Sequence, residues 1–287
     1  MTRVISCRKH LAAIRCVSVQ ACSPNEKYIF SGGVRQILKC WKLTSNGCGY
    51  ECVDYLTATF TGISDRIQSR VMGIDTVRLD ACKILVGIAC SDGYIRLFIF
   101  QTPNTPAKST FTMICESKHH GKCVQKFKVF KRDDEVYCIS AATDGNVLIW
   151  KMQKSVLTFA DSPIVTVKMH QSGVKALDYR LVDGGLLEIC TGGDDGDVGY
   201  VAVDLPLAKI ERKINTLGHC SSVTGVTFTG AAKIGSVSID YRLSEWEIGN
   251  RLTLLRETTI DVPDASDMSY YEGVCAVVGH GIQTFKI

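Results

Sequence analysis

GHCSSVTGVTFTGAAKIGSVSIDYRLSEW, residues 218–246, sets one strand signal, Val223 to Thr227, before a hairpin signal that runs from Ser236 to Trp246. Apolar runs with period two mark strands, and a short break rich in Asp or Gly between them marks a hairpin. The hairpin half recurs. It reads FSGGVRQILKCW over Phe30 to Trp41, VGIACSDGYIRLF over Val86 to Phe98, ISAATDGNVLIW over Ile139 to Trp150, ICTGGDDGDVGYV over Ile189 to Val201 and AVVGHGIQTF over Ala276 to Phe285. Aligned on the residue six before the closing apolar position (Arg35, Asp92, Asp144, Asp195, Asp240 and Gly279), the units advance by 57, 52, 51, 45 and 39 residues.

A drifting period of this size means one supersecondary unit per step, joined by loops of varying length. A sheet this small cannot cover both of its faces, so it must stack on its neighbours, and a ring of such sheets leaves few exposed edges. Each hairpin has a further strand signal upstream, such as Ile14 to Val19, Val71 to Arg78, Val124 to Phe130, Val174 to Tyr179 and Val223 to Thr227 for the first five. A fourth follows downstream, as at Tyr50 to Phe60 and Lys209 to Ile214. Four strands per unit predict an all-β propeller of six blades, with seven as the alternative if one blade is degenerate. The whole of 1–287 reads as a single propeller domain. The last blade lacks a fourth strand signal, which Arg3 to Cys7 is placed to supply. All six prolines fall between strand signals, where no ladder amide is needed.

Hydrophobic residues make up 46% of the chain, enough for a large core, and the formal charge of +4 is only mildly basic. The apolar runs are about as long as a buried strand and too short to span a membrane. Many of the fourteen cysteines, among them Cys40, Cys82, Cys90, Cys138, Cys190 and Cys275, sit inside those runs as small hydrophobes rather than as a disulfide framework. Without a leader pattern or an N-x-[ST] acceptor, the sequence predicts a cytoplasmic protein with reduced thiols.

Several constellations invite a chemical reading. His219, Ser238 and Asp240 have the residue types of a hydrolytic triad, yet a mid-strand serine without oxyanion donors lacks what such a triad needs. Cys115, His119, His120 and Cys123 are plausible zinc ligands but have no second knuckle. Asp194, Asp195 and Asp197 lack the ligand spacing of a calcium loop and suit a hairpin turn. Phosphate-loop, dinucleotide, nucleophile-elbow and zinc-protease motifs are absent, so no catalytic residue, metal or cofactor is expected. Lys118, Lys122, Lys126, Lys128, Lys131 and Arg132 form the one conspicuous basic segment. Lys126 and Lys128 share one strand face while Phe127 and Val129 share the other, so the ring is expected in the core and the lysines are candidates for RNA or partner contact.

The Gly218-His219 opening, Ser238 two before Asp240, and the closing Trp246 resemble the WD-repeat family. The resemblance implies that His219, Ser238, Asp240 and Trp246 form a hydrogen-bonded network inside the blade. The other units depart from it: Ala142, Cys90 and Gly193 stand before Asp144, Asp92 and Asp195, and no tryptophan is followed by Asp. From Ser236 onward, SVSIDYRLSEWEIGN, Asp261-Val262, Asp267-Met268 and Val278-Gly279-His280-Gly281-Ile282 resemble the C-terminal propeller of the WD-repeat protein six family. Members of that family are accessory subunits of an FtsJ-like enzyme that methylates the 2′-hydroxyl of the tRNA wobble nucleotide. The resemblance implies a non-catalytic scaffold whose partners are that methyltransferase and tRNA, with the methyl donor held by the enzyme and no small-molecule substrate. The alternative is a general protein–protein scaffold in trafficking or signalling, without nucleic acid.

Overall fold

A computed structural model describes residues 10, 13–23, 25–34, 37–45, 50–60, 69–102, 109–153 and 157–287. Blade one holds β1 (Ile14–Ser23), β2 (Glu26–Gly33), β3 (Ile37–Ser45) and β4 (Tyr50–Thr59), and blade two holds β5 (Val71–Arg78), β6 (Lys83–Cys90), β7 (Ile95–Gln101) and β8 (Thr110–Ser117). Blade three follows with β9 (Val124–Arg132), β10 (Glu135–Ala142), β11 (Asn146–Lys151) and β12 (Val165–Lys168), then blade four with β13 (Val174–Val182), β14 (Leu186–Gly193), β15 (Asp197–Asp204) and β16 (Lys209–Leu217). Blade five comprises β17 (Val223–Gly230), β18 (Lys233–Ser238), β19 (Arg242–Ile248) and β20 (Leu252–Thr259), and blade six β21 (Asp267–Tyr271), β22 (Val274–Gly279) and β23 (Gly281–Lys286). Every sheet is a meander in chain order, so the architecture is a six-bladed β-propeller. Blade six has three described strands. Arg3 to Cys7, like Arg35, Pro24, Pro103 and Pro106, lies outside the described residues, while Pro163, Pro206 and Pro263 fall between strands.

The described chain divides into two compact units, Met1–Ser140 with Ile149–Pro163, and Ala141–Leu148 with Ile164–Ile287. Within the first, β5 packs between β1 and β9; within the second, β17 packs between β13 and β21. The first unit fills the space between blades one and two with aromatic rings. Tyr28, Phe30, Phe98 and Phe100 are fully buried there, with Phe30 edge-on to Phe100 at 5.4 Å. In the second, Val223, Val226, Ile234 and Trp246 of blade five meet Cys190, Val198 and Tyr200 of blade four. Phe127 and Val129 are buried as the alternation requires. Cys40, Cys90, Cys138, Cys190 and Cys275 are buried free thiols, whereas Cys82 is half-buried. No helix among the described residues is long and apolar enough to cross a membrane.

The hairpin turns show why Asp sits where it does. Asp92, Asp144, Asp195 and Asp240 each accept, through Oδ1, the backbone N–H two residues on, at 3.2, 2.9, 3.3 and 3.1 Å. Such a side-chain turn lets the backbone reverse without a ladder bond. Gly196 follows with φ +81°, and a Cβ there would stand 2.4 Å from the carbonyl oxygen of His219. That oxygen is close because the amides of Gly218 and His219 donate to Gly196 O at 3.2 and 3.0 Å, seating the opening of blade five on the turn of blade four. In blade five the same position is Tyr241, at φ 65°. Between β13 and β14 a single 3-10 turn, Asp183–Gly185, carries Gly184 at φ 76° with open space around it.

Candidate functional site

The conspicuous polar residues of the repeats meet in one recurring network. In blade five Trp246 Nε1 donates to Ser236 Oγ at 2.8 Å, Ser236 Oγ lies 2.8 Å from His219 Nε2, and His219 Nδ1 lies 3.1 Å from Asp240 Oδ2. With its proton on Nδ1, a neutral imidazole satisfies the whole chain: it donates to Asp240 and accepts from the serine, which accepts from the indole. Burial holds the His219 pKa below its ordinary value despite the neighbouring carboxylate, which agrees with that neutral form. The serine in the network is therefore Ser236, not the expected Ser238. Ser238 Oγ donates instead to Ser221 O at 3.2 Å and accepts from the Asp240 amide at 3.2 Å.

Blade five is also not alone in keeping the network. Trp150 and His120 converge on Ser140 at 3.3 and 2.9 Å, and Trp41 and His10 on Ser31 at 2.7 and 2.8 Å. In blade four His170 joins Thr191 at 2.8 Å to Asp195 at 2.9 Å. Burial lowers the His170 pKa. Burial alone would raise that of Asp195, but His170 and the amides of Asp197 and Gln171 hold it below the usual carboxylate value. In blades one to five the hydroxyl position lies ten residues before the closing apolar residue. In blade two, where the closing residue is Phe98 and carries no N–H, the position is Ile88 and needs no hydroxyl, and the tighter hairpin of blade six pairs Cys275 directly with Phe285. Asp92 of blade two turns to a buried arginine: Arg96 donates to it at 2.9 and 3.2 Å and to Glu116 at 2.9 Å, with its guanidinium 4.8 Å from the Phe60 and Tyr94 rings.

Contacts between blades depend on residues that the repeat pattern did not single out. Asp75 Oδ2 accepts the amide of Val129 at 2.9 Å, and Asp178 Oδ2 accepts Thr227 Oγ1 at 2.9 Å. Arg180 donates to Glu188 at 2.5 Å and to Gly230 O at 2.6 Å, lying 4.2 Å over the Phe228 ring. Arg78 reaches Cys22 O at 3.0 Å in the same way. Their signal is a charged residue in the buried first strand of a blade.

The constellations that suggested chemistry are dispersed. His219 and Asp240 meet, but as members of the blade network. Of the zinc candidates, His120 is on Ser140, His119 packs at a tilt of 57° against Trp150 with ring centroids 4.6 Å apart, and Cys123 Sγ donates to Val124 O. Among the described residues no three His, Cys, Asp or Glu side chains are grouped to hold a metal. Asp194 pairs with Ser222 and Lys175, apart from Asp195 in its network. The basic segment does not form one patch either. Lys118 and Lys122 are exposed before β9, whose nine residues extend about 30 Å. Lys131 and Arg132 at the far end pair with Asp134 and Asp133, and Lys126 and Lys128 between them are half-buried.

The WD domain, G-beta repeat family matches residues 1–42. Over 264 residues the chain is 28% identical to the tRNA (34-2′-O)-methyltransferase regulator WDR6 of Bos taurus, covering 76% of this chain and 23% of that protein. It is 29% identical over 246 residues to the Mus musculus protein of that name, and 24% over 264 residues to the Homo sapiens one. These matches cover 70% and 76% of this chain and 21% and 23% of those proteins. The chain thus spans about a quarter of the length of the curated relatives it matches. In fold it is similar to Sqt1 from Chaetomium thermophilum, with a TM-score of 0.68 at 12% identity over 96% of this chain and 69% of that one. U3-55K gives 0.64 at 15% identity over 94% and 74%. The chain is a β-propeller in architecture, and the proteins it resembles in sequence are named as regulators of a tRNA methyltransferase.

Proposed function

We propose that this chain is a non-catalytic scaffold that supports an FtsJ-like methyltransferase in 2′-O-methylation of the tRNA wobble nucleotide, position 34. The observation that carries this reading is the similarity, over about three quarters of the chain, to proteins named as regulators of that reaction. Two features of the molecule support a scaffold role. The histidines and aspartates of the blade networks are held inside blades, where His170 and His219 are buried and burial lowers their pKa values below the ordinary imidazole value. The outer loops and rims remain for partners, with Lys118, Lys122 and the Asp134-paired Lys131 as the exposed lysines of the basic segment.

The test is reconstitution. The full chain, mixed with the FtsJ-like methyltransferase of the same organism, should co-elute with it and raise methyl transfer to position 34 of a tRNA transcript, while the chain alone transfers none. Failure to associate, with other protein partners recovered instead, would leave the general scaffold as the correct description. Charge reversal at Lys118 and Lys122 should weaken tRNA binding and flatten its salt dependence, each lost phosphate contact removing about 0.7 to 0.9 from the log–log slope.

A further inference from the structure

Several lysines of this molecule lie against a carboxylate: Lys42 on Glu26, Lys131 on Asp134, Lys175 on Asp194, Lys209 on Glu211 and Lys233 on Glu245. Lys168 and Lys213 are held differently, each by a backbone carbonyl. Lys168 Nζ donates to Asp144 O at 2.5 Å, and Lys213 Nζ donates to Lys168 O. A carbonyl carries no formal charge, so neither ammonium group has a carboxylate as its direct partner, and each retains two N–H donors. Both line a cleft of about 370 Å³ in the second compact unit, together with Gln171, Asp197 and Asn215.

Beside Gln171, the cleft offers two acceptors. Asn215 Nδ2 donates to Met169 O at 2.5 Å, which fixes the amide's orientation, and its buried Oδ1 has no hydrogen-bond partner. A buried acceptor without a donor is costly and marks a place for one. The Asp197 carboxyl, raised above its ordinary pKa by burial and by Asp195, adds a second acceptor. Cations beside an acceptor that lacks a donor fit a ligand that brings anionic oxygens and a hydrogen-bond donor together. A DNA backbone brings the anion without the donor; RNA brings both in each nucleotide, and the RNA-handling role above favours it over a carboxylate peptide.

We propose that this cleft binds the ribose–phosphate backbone of RNA, with a phosphate on Lys168 and Lys213 and a 2′-hydroxyl donating to Asn215 Oδ1. The inference rests on the RNA-handling role above and names where the RNA is held. The full chain is titrated into a labelled single-stranded oligoribonucleotide of about 12 nucleotides, and into the DNA of the same sequence, between about 50 and 200 mM salt. RNA should bind more tightly than DNA. The Lys168→Gln/Lys213→Gln variant should bind both about tenfold more weakly, with a salt slope lower by about 1.4, two contacts' worth on a single strand. Asn215→Leu should remove the preference for RNA and leave DNA binding unchanged.

Unchanged RNA affinity and slope in the lysine variant would overturn the proposal. So would binding of a phosphoserine peptide in the cleft with RNA affinity independent of these residues. Should the variants not fold, the unsubstituted protein decides: RNA must shield Lys168 and Lys213 from amine acylation, and equal labelling with and without RNA overturns the site. If the cleft variants bind RNA normally while the methyltransferase still co-elutes and is stimulated, the cleft assignment falls and the scaffold stands. Loss of methyltransferase association, whatever the cleft binds, removes the scaffold reading instead.

Discussion

Ser236 and Ser238 are both fully buried on β18. Two residues apart, they lie about 7 Å from each other on the same side of the strand, so alternation alone cannot tell them apart. What separates them is reach: Ser236 bridges Trp246 and His219, and Ser238 touches only backbone. Ser236→Ala should therefore cost about 2–3 kcal/mol, because it strands two buried polar atoms, and Ser238→Ala about 1 kcal/mol. Urea unfolding of the two variants checks the ranking, and the reverse order would show that the network is not centred on Ser236. The signal for the right serine was present in the repeats: Ser31 and Trp41, Ser140 and Trp150, and Ser236 and Trp246 are each ten residues apart. Comparison of units, more than inspection of any one of them, makes it legible.

The hairpin turns of blades two to five each hold a left-handed residue, Gly93, Gly145, Gly196 and Tyr241, and blades four and five fill that position differently. At Gly196 the conformation is free of penalty and the space is taken by the next blade. Gly196→Ala should cost at least about 2 kcal/mol, from a strained φ and a Cβ pressed on His219 O. At Tyr241, exposed and at φ 65°, an L-residue carries that strain already. Tyr241→Gly should gain up to about 1 kcal/mol, the released strain less the added freedom of glycine in the unfolded chain. Thermal unfolding of the two variants should move in opposite directions. The strands and their order were legible because turn, alternation and closing apolar residue are all local. The ties between neighbouring blades, Asp75 to Val129 and Asp178 to Thr227, were not, since each crosses about one whole repeat and starts in a first strand, outside the hairpin whose recurrence reveals the repeat.

At the scale of the whole molecule, the blade histidines make stability depend on acidity in one direction. His170 and His219 have pKa values below the ordinary 6.5 in the folded state, so the unfolded chain binds protons first as pH falls. Their contribution is complete above about pH 6.5 and declines below it. Asp195, held below its ordinary 3.8, adds a second loss under more acidic conditions. Urea midpoints should be level between about pH 7 and 8 and fall below about 6.5, and His170→Asn/His219→Asn should flatten that slope. A midpoint that rises on acidification would contradict the neutral, buried state. The repeat and its blade count followed from rhythm alone, whereas the cleft around Lys168 and Lys213 joins residues of two outer strands that share no motif and meet only through folding. The closing residue pairs with the one twelve before it in blades one, two, four and five, while the step between hairpins runs from 57 to 39 residues, so these hairpins act as fixed type and the connections as adjustable spacers. The Asp183–Gly185 turn, with open space around Gly184, is therefore a place to splice a fluorophore-binding or affinity sequence into the chain, giving a labelled protein whose blade networks are untouched.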